Sequence, residues 1–151
     1  MDGYSRQGVT IGARTKIGAG SIISCTSHFS HLGQGFRIGD DCGVSEYCYF
    51  GATGGVDIGN DVIMGQFVSF HSQNHQFEDA STKIRDQGVT SRGIRVGNNV
   101  WIGAKVTILD GTVIRDHSVI AAGAVVSGEF PDHSVIGGVP ARVLRSMTLR
   151  S

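Results

Sequence analysis

The chain has 151 residues, enough to bury a full core, and a single domain over 1–151 is expected. Thirteen basic and thirteen acidic residues cancel, so no overall field recruits nucleic acid or an anionic membrane, and partners must be recognised locally. The 23 glycines follow no Gly-X-Y triplet, which excludes collagen and assigns them to tight corners.

No apolar run reaches the ~20 residues of a membrane helix, and the opening MDGYSRQG lacks a basic-then-apolar leader layout. A soluble, cytoplasmic protein is expected. Cys25, Cys42 and Cys48 lack metal-site spacing and read as small buried core residues.

In chain order, a six-residue period begins at Ile11 with IGARTK and IGAGSI, and Ile23 leads a third repeat. Residues 28–37, HFSHLGQGFR, interrupt it before IGDDCG, VSEYCY and FGATGG resume, with Cys42 and Cys48 on fifth places. The next lead, Ile58, comes two residues late, which predicts a two-residue bulge near Gly54 and Gly55. IGNDVI, MGQFVS and FHSQNH follow, so His75 takes a sixth place. Gln76 to Arg95 carries no period. From Val96 it returns as VGNNVW, IGAKVT, ILDGTV, IRDHSV, IAAGAV and VSGEF.

Six fits neither an amphipathic helix nor an alternating strand, but it is a parallel β-helix signature. Each repeat is then a short strand plus a corner, and three repeats close one triangular coil. Lead aliphatics (Val96, Ile102, Ile108, Ile114, Ile120, Val126) and small fifth residues (Val100, Val106, Thr112, Ser118, Ala124) fill the interior. Sixth residues point outward.

By that rule His75 stands outside, at the mouth of a long polar loop of the kind that often carries function. Glu78 and Asp79 are placed to orient its imidazole, which suits a general base. His71 and His75, four apart, offer a weaker zinc pair, since no helix aligns them. His28, His31, His117 and His133 read as surface histidines. Trp101 also occupies a sixth place; it either meets another subunit or lines a groove for an extended ligand such as a coenzyme. Val113, Val119 and Val125, apolar and outward, predict that another subunit covers part of this surface.

SQNHQFED at 72–79, the loop after it, VGNNVWIGAKVTILDGTVI at 96–114, VIAAGAVV at 119–126 and GGVPARVLR at 137–145 resemble the hexapeptide-repeat acyltransferases. Within them, the likeness is to the acetyl-CoA-dependent O-acetyltransferases of sugars and bacterial surface polysaccharides. The resemblance implies an all-β, left-handed parallel β-helix, an exception to right-handed crossovers, with one excursion at about 76–95 and a short C-terminal segment. It implies a homotrimer with active sites between neighbouring prisms, acetyl-CoA as donor, a sugar as acceptor and no metal. It makes His75 the general base for direct attack on the thioester, and a backbone N–H near Ala104 the oxyanion donor. Trp101, Ala104, Ala122 and Ser127 would flank the pantetheine arm, and Arg142 and Arg145 would meet the coenzyme phosphates.

Glu46, His71 and Arg85 are the expected acceptor contacts. Glu46, beside Ser45, stands where simple-sugar acetyltransferases of this group usually carry Asn. Their helical N-terminal segment is not seen, which favours the surface-polysaccharide branch. An antibiotic or amino-sugar acyltransferase, a zinc-dependent carbonic-anhydrase-like hydratase and a non-catalytic scaffold are the alternatives.

Overall fold

A computed structural model describes residues 5–26 and 32–150. His28 and His31 lie outside the described residues. The six-residue period becomes strands of mostly two or three residues that stack into three parallel faces. The first face holds Val9–Ile11, Phe36–Ile38, Val56–Ile58, Ile94–Val96, Val113–Ile114 and Glu129–Phe130. The second holds Lys16–Ile17, Gly43–Val44, Ile63–Met64, Trp101–Ile102, Val119–Ile120 and Ser134–Gly138. The third holds Ile22–Ser24, Tyr49–Gly51, Ser69–His71, Thr107–Leu109 and Val125–Val126. The chain visits first, second and third face in turn, and each circuit is one coil.

Register converts the sequence interruptions into geometry. Ile11, Ile38, Ile58, Val96, Ile114 and Phe130 form one column. Asn98 and Asp116, on adjacent coils, are a regular 18 residues apart. The same step takes 27 residues across the first interruption and 20 across the glycine pair. It takes 38 where residues 76–95 leave the prism. The expected bulge is there, with Gly55 at φ 95 and its N–H turned back to the Ala52 carbonyl. The closing step shortens to 16 residues.

The lead residues from Ile38 to Val126 line a closed interior, as do the fifth residues Val100, Val106, Thr112, Ser118 and Ala124. Phe36 and Phe50 on one coil and Phe70 on the next pack in a tilted row, 4.9 and 5.0 Å between ring centroids. Each fully buried aliphatic or aromatic side chain contributes about 1.5–3 kcal/mol, so this column is the main cohesive term. The buried hydroxyl of Thr112 is satisfied by donating to the Leu109 and Val126 carbonyls, which is why a polar fifth residue is tolerated.

At the corner between first and second faces the backbone leaves the sheet, and its N–H groups need acceptors. Side chains on the following coil supply them. Ala13 N–H donates to Asp40, Asp40 to Asn60, Asn60 to Asn98, Asn98 to Asp116 and Asp116 to Asp132. This ladder explains the glycines Gly12, Gly39, Gly59 and Gly97 that precede its first four donors, whereas Arg115 precedes the last. A Cβ on Gly59 would lie 2.5 Å from Asn98 Oδ1 and 2.7 Å from the Gly97 carbonyl.

The C-terminal segment is more ordered than a tail. Ala141–Ser146 pairs antiparallel with Ser134–Gly138 and covers that part of the second face's edge. Among the described residues the one helical turn is a 3-10 turn at Ile84–Asp86, and no helix is long and apolar enough to cross a membrane.

Candidate active site

His75 is held by a hairpin that leaves the prism at the corner between third and first faces. Before it, Ser72 is buried; its hydroxyl donates to the Gly51 carbonyl at 2.7 Å and accepts from Gly54 N–H at 2.9 Å. Chain direction is thereby fixed as it exits. Asn74–His75 then pairs antiparallel with Val89–Thr90, His75 opposite Val89, and Gln76 N–H donates to the Gly88 carbonyl. Beyond the pair, Gln87 ties the loop together: its side chain accepts from Asp79 N–H and donates to the Asp79 and Thr82 carbonyls.

The imidazole of His75 is exposed in a groove of about 660 Å³ that also takes in Asn74, Phe77, Glu78, Thr90 and Arg92. The expectation that Asp79 orients it is corrected. That carboxylate accepts from the Ser81 hydroxyl and amide and from the Thr82 hydroxyl, which hold it down at about 2. No hydrogen bond joins His75 to Glu78 or Asp79 among the described residues.

His71 and His75 do not act as a pair. His71 ends a third-face strand and packs its ring 5.6 Å from Tyr49, while His75 lies past the corner on the hairpin. Among the described residues no group of three or more His, Cys, Asp or Glu could hold a metal ion. Arg85 sits in the 3-10 turn, 3.9 Å from Asp86, and is not part of the His75 groove. The arginine that is part of it, Arg92, carries no repeat signature and was not singled out by sequence.

A second group gathers on the second face and its corner with the third. Trp101 is 55% exposed, registered between Ile63 and Val119. It borders a groove of about 590 Å³ with Lys16, Ser45, Glu46 and Ile63. Arg145 follows in the same column through Val119 and Val135, three rungs from Trp101, or roughly 14 Å. Arg142 pairs with Gly137 on the same strand, and both arginines are exposed.

Ala104 and Ala122 stack on successive coils at this corner: a Cβ on Gly103 would lie 2.6 Å from the Ala122 nitrogen, and Gly123 N–H donates to the Ala104 carbonyl at 2.9 Å. Here no Asn or Asp ladder closes the turn. Among the described hydrogen bonds the N–H groups of Ala104 and Ala122 have no acceptor, so this corner presents donors where the other consumes them. An exposed tetrahedral oxyanion or an amide-bearing ligand is what such donors fit.

Ser127 belongs to neither cluster. It follows Val126 on the third face, in line with Leu109 and His71, toward the corner that carries His75. The third face, roughly 16 Å across from residue 105 to residue 110, therefore separates His75 and Ser127 from Trp101, Ala104 and Ala122 within one chain.

Comparison with known proteins gives this geometry relatives. Residues 93–128 match the family described as bacterial transferase hexapeptide (six repeats), and residues 8–46 match the hexapeptide repeat of succinyl-transferase. The galactoside O-acetyltransferase of Escherichia coli K12 is 38% identical over 96 residues, 63% of this chain and 46% of that one. WbbJ of the same organism, provisionally named for O-acetyl transfer in lipopolysaccharide biosynthesis, is 30% identical over 113 residues, 70% of this chain and 58% of its own. The chain spans 31% to 58% of the length of these and other curated relatives. A hexapeptide-repeat acetyltransferase from Vibrio cholerae, solved with acetyl coenzyme A, superposes with a TM-score of 0.76 at 27% identity, covering 92% of this chain and 71% of that one. Galactoside acetyltransferase in complex with coenzyme A gives 0.56 at 28% identity, covering 93% and 60%. The fold is the left-handed parallel β-helix of these enzymes, and both ends of the prism carry hexapeptide repeats of bacterial transferase families.

Proposed function

We propose that the chain transfers an acetyl group from acetyl-CoA to a sugar hydroxyl, in the assembly of a surface polysaccharide or lipopolysaccharide. The observation that carries this reading is the pair of unpaired amides at Ala104 and Ala122, beside an exposed indole and three rungs from Arg145. Imidazole is the side chain that ordinarily exchanges a proton near neutrality. His75 takes the proton of the acceptor hydroxyl as its oxygen bonds to the thioester carbonyl carbon. The resulting oxyanion is held by the Ala104 N–H; the carbon–sulfur bond then breaks and the imidazolium returns its proton to the leaving thiolate. No acyl-enzyme forms.

His75 and Ala104 sit on opposite edges of the third face, so two copies must meet for both to touch one thioester. A trimer in which each corner carrying His75 faces a neighbour's Ala104 corner satisfies this, and Ser127 then approaches the pantetheine from the His75 side. Trp101, Arg142 and Arg145 bind the coenzyme in this arrangement, and Glu46 faces the acceptor.

The test is free-thiol release from acetyl-CoA with a panel of sugars. His75→Ala is expected to lose about 10²- to 10⁴-fold in acceptor-dependent release while still binding coenzyme. Mixing His75→Ala with a variant crippled at the coenzyme corner, Ala122→Trp, should restore part of the activity through mixed trimers. Undiminished release by His75→Ala would remove His75 from the chemistry, and absence of coenzyme binding would remove the whole reading.

A further inference from the structure

We propose that the acceptor is a phosphorylated sugar and that Arg92, supported by Arg95, holds its phosphate beside His75. This rests on the transferase reading above and adds the chemical class of its acceptor.

Arg92 is the junction of two grooves. One is the groove around His75; the other, about 680 Å³, runs along the first face past Arg37, Asp57 and Arg95. A ligand with its hydroxyl at His75 and its body on the first face must pass Arg92.

The guanidinium is uncompensated. Asp110, buried, spends its carboxylate on backbone: Oδ1 and Oδ2 accept from Arg92 N–H at 2.8 and 3.0 Å, and Oδ1 also accepts from Gly93 N–H at 2.8 Å. The loop's return to the prism is thereby fixed while the side-chain charge is left free. The stem of Arg92 crosses Gly111, where a Cβ would lie 3.3 Å from its Cδ. In the His75 groove, Asp79 is already engaged by Ser81 and Thr82.

The first face adds a second free cation. Arg37, Asp57 and Arg95 follow one another in register. Arg37 is paired with Asp57 at 2.6 Å, and Glu129 lies 4.0 Å from Arg115, but neither Arg92 nor Arg95 has an ion-pair partner among the described residues. Two exposed guanidiniums three residues apart, with Asp57, Asp79 and Asp110 engaged elsewhere and Glu78 the remaining carboxylate of the His75 groove, suit the oxygens of a phosphate or diphosphate. A neutral sugar offers them hydroxyl acceptors but no opposite charge.

The same oxygens could come from the coenzyme, so the test has two arms. In the first, inorganic pyrophosphate is titrated by calorimetry into the protein saturated with coenzyme A. Binding that persists beside the coenzyme and weakens about ten- to hundredfold in Arg92→Gln, with Arg142→Gln unaffected, supports the assignment. Exclusion of pyrophosphate by coenzyme A, or equal binding by Arg92→Gln, overturns it. In the second, turnover of free hexoses is compared with that of their 1-phosphates. Arg92→Gln should lower the ratio of kcat/KM for phosphorylated over free acceptor by a similar factor, through the KM of the phosphorylated acceptor. Equal loss on both acceptors, or loss confined to the KM for acetyl-CoA, overturns it. If no acceptor is acetylated at all, the transferase reading fails and the pyrophosphate titration alone decides the role of Arg92.

Discussion

Asn98 Oδ1 lies 2.9 Å from the amide nitrogen of Asn60, thirty-eight residues earlier, and occupies the space a side chain on Gly59 would need. Two substitutions separate these roles. Asn98→Ala removes one acceptor and should cost about 1 kcal/mol. Gly59→Ala meets both that oxygen and the Gly97 carbonyl, and overpacking of this kind costs about 1–3 kcal/mol. Urea midpoints should fall in that order, with Gly59→Ala the lower.

Consecutive residues on one strand should behave oppositely. Ile102 is fully buried and Trp101 is 55% exposed. Ile102→Ala should destabilise by about 2–5 kcal/mol in thermal or urea unfolding. Trp101→Ala should leave the prism folded, seen by circular dichroism, and raise the KM for acetyl-CoA.

Acid should loosen the excursion loop before the prism. Hydrogen bonds from Ser81 and Thr82 hold Asp79 at about 2 in the folded protein, against about 3.9 for an unfolded aspartate. A depressed value means that the contribution is complete above pH 4 and is lost as pH falls toward 2. The protection factor of the Ser81 amide, measured against its intrinsic exchange rate at each pH, should fall through that window, and Asp79→Ala should abolish that fall.

Thiol reactivity reports on the column of the core. Cys25, Cys42 and Cys48 are buried, and burial pushes the Cys48 thiol up from its ordinary value. Iodoacetamide at pH 8 should leave all three unmodified in the native protein and label three in urea.

The period was legible because burial enforces it. Every lead from Val96 to Val126 must face inward, so a slip of one residue exposes an aliphatic, and even the two-residue bulge at Gly54–Gly55 showed as a late Ile58. His75 and Trp101 were legible as sixth-place residues that a solitary prism has no reason to keep. The excursion showed as a loss of period, but its internal order did not, because that order comes from contacts outside the repeat: Gln87 to Asp79, 8 residues apart, and Asp110 to Arg92, 18 residues apart. Nothing periodic announces such pairs. Asp79 near His75 in sequence suggested an orienting carboxylate, but nearer donors at Ser81 and Thr82 capture it first. The Ala104 amide was reached only through the resemblance, and that of Ala122 not at all, because an unmade hydrogen bond leaves no mark on residue type.

The corner ladder runs one way. Every donor amide belongs to the earlier coil and every acceptor side chain to the later one, from Ala13 and Asp40 through to Asp116 and Asp132. A chain emerging from the ribosome therefore cannot seal a corner until its successor has been synthesised, and Asn60 waits longest, for Asn98. Chains arrested just before Asn98 should be nicked by protease near Asn60, and chains arrested a coil later should resist.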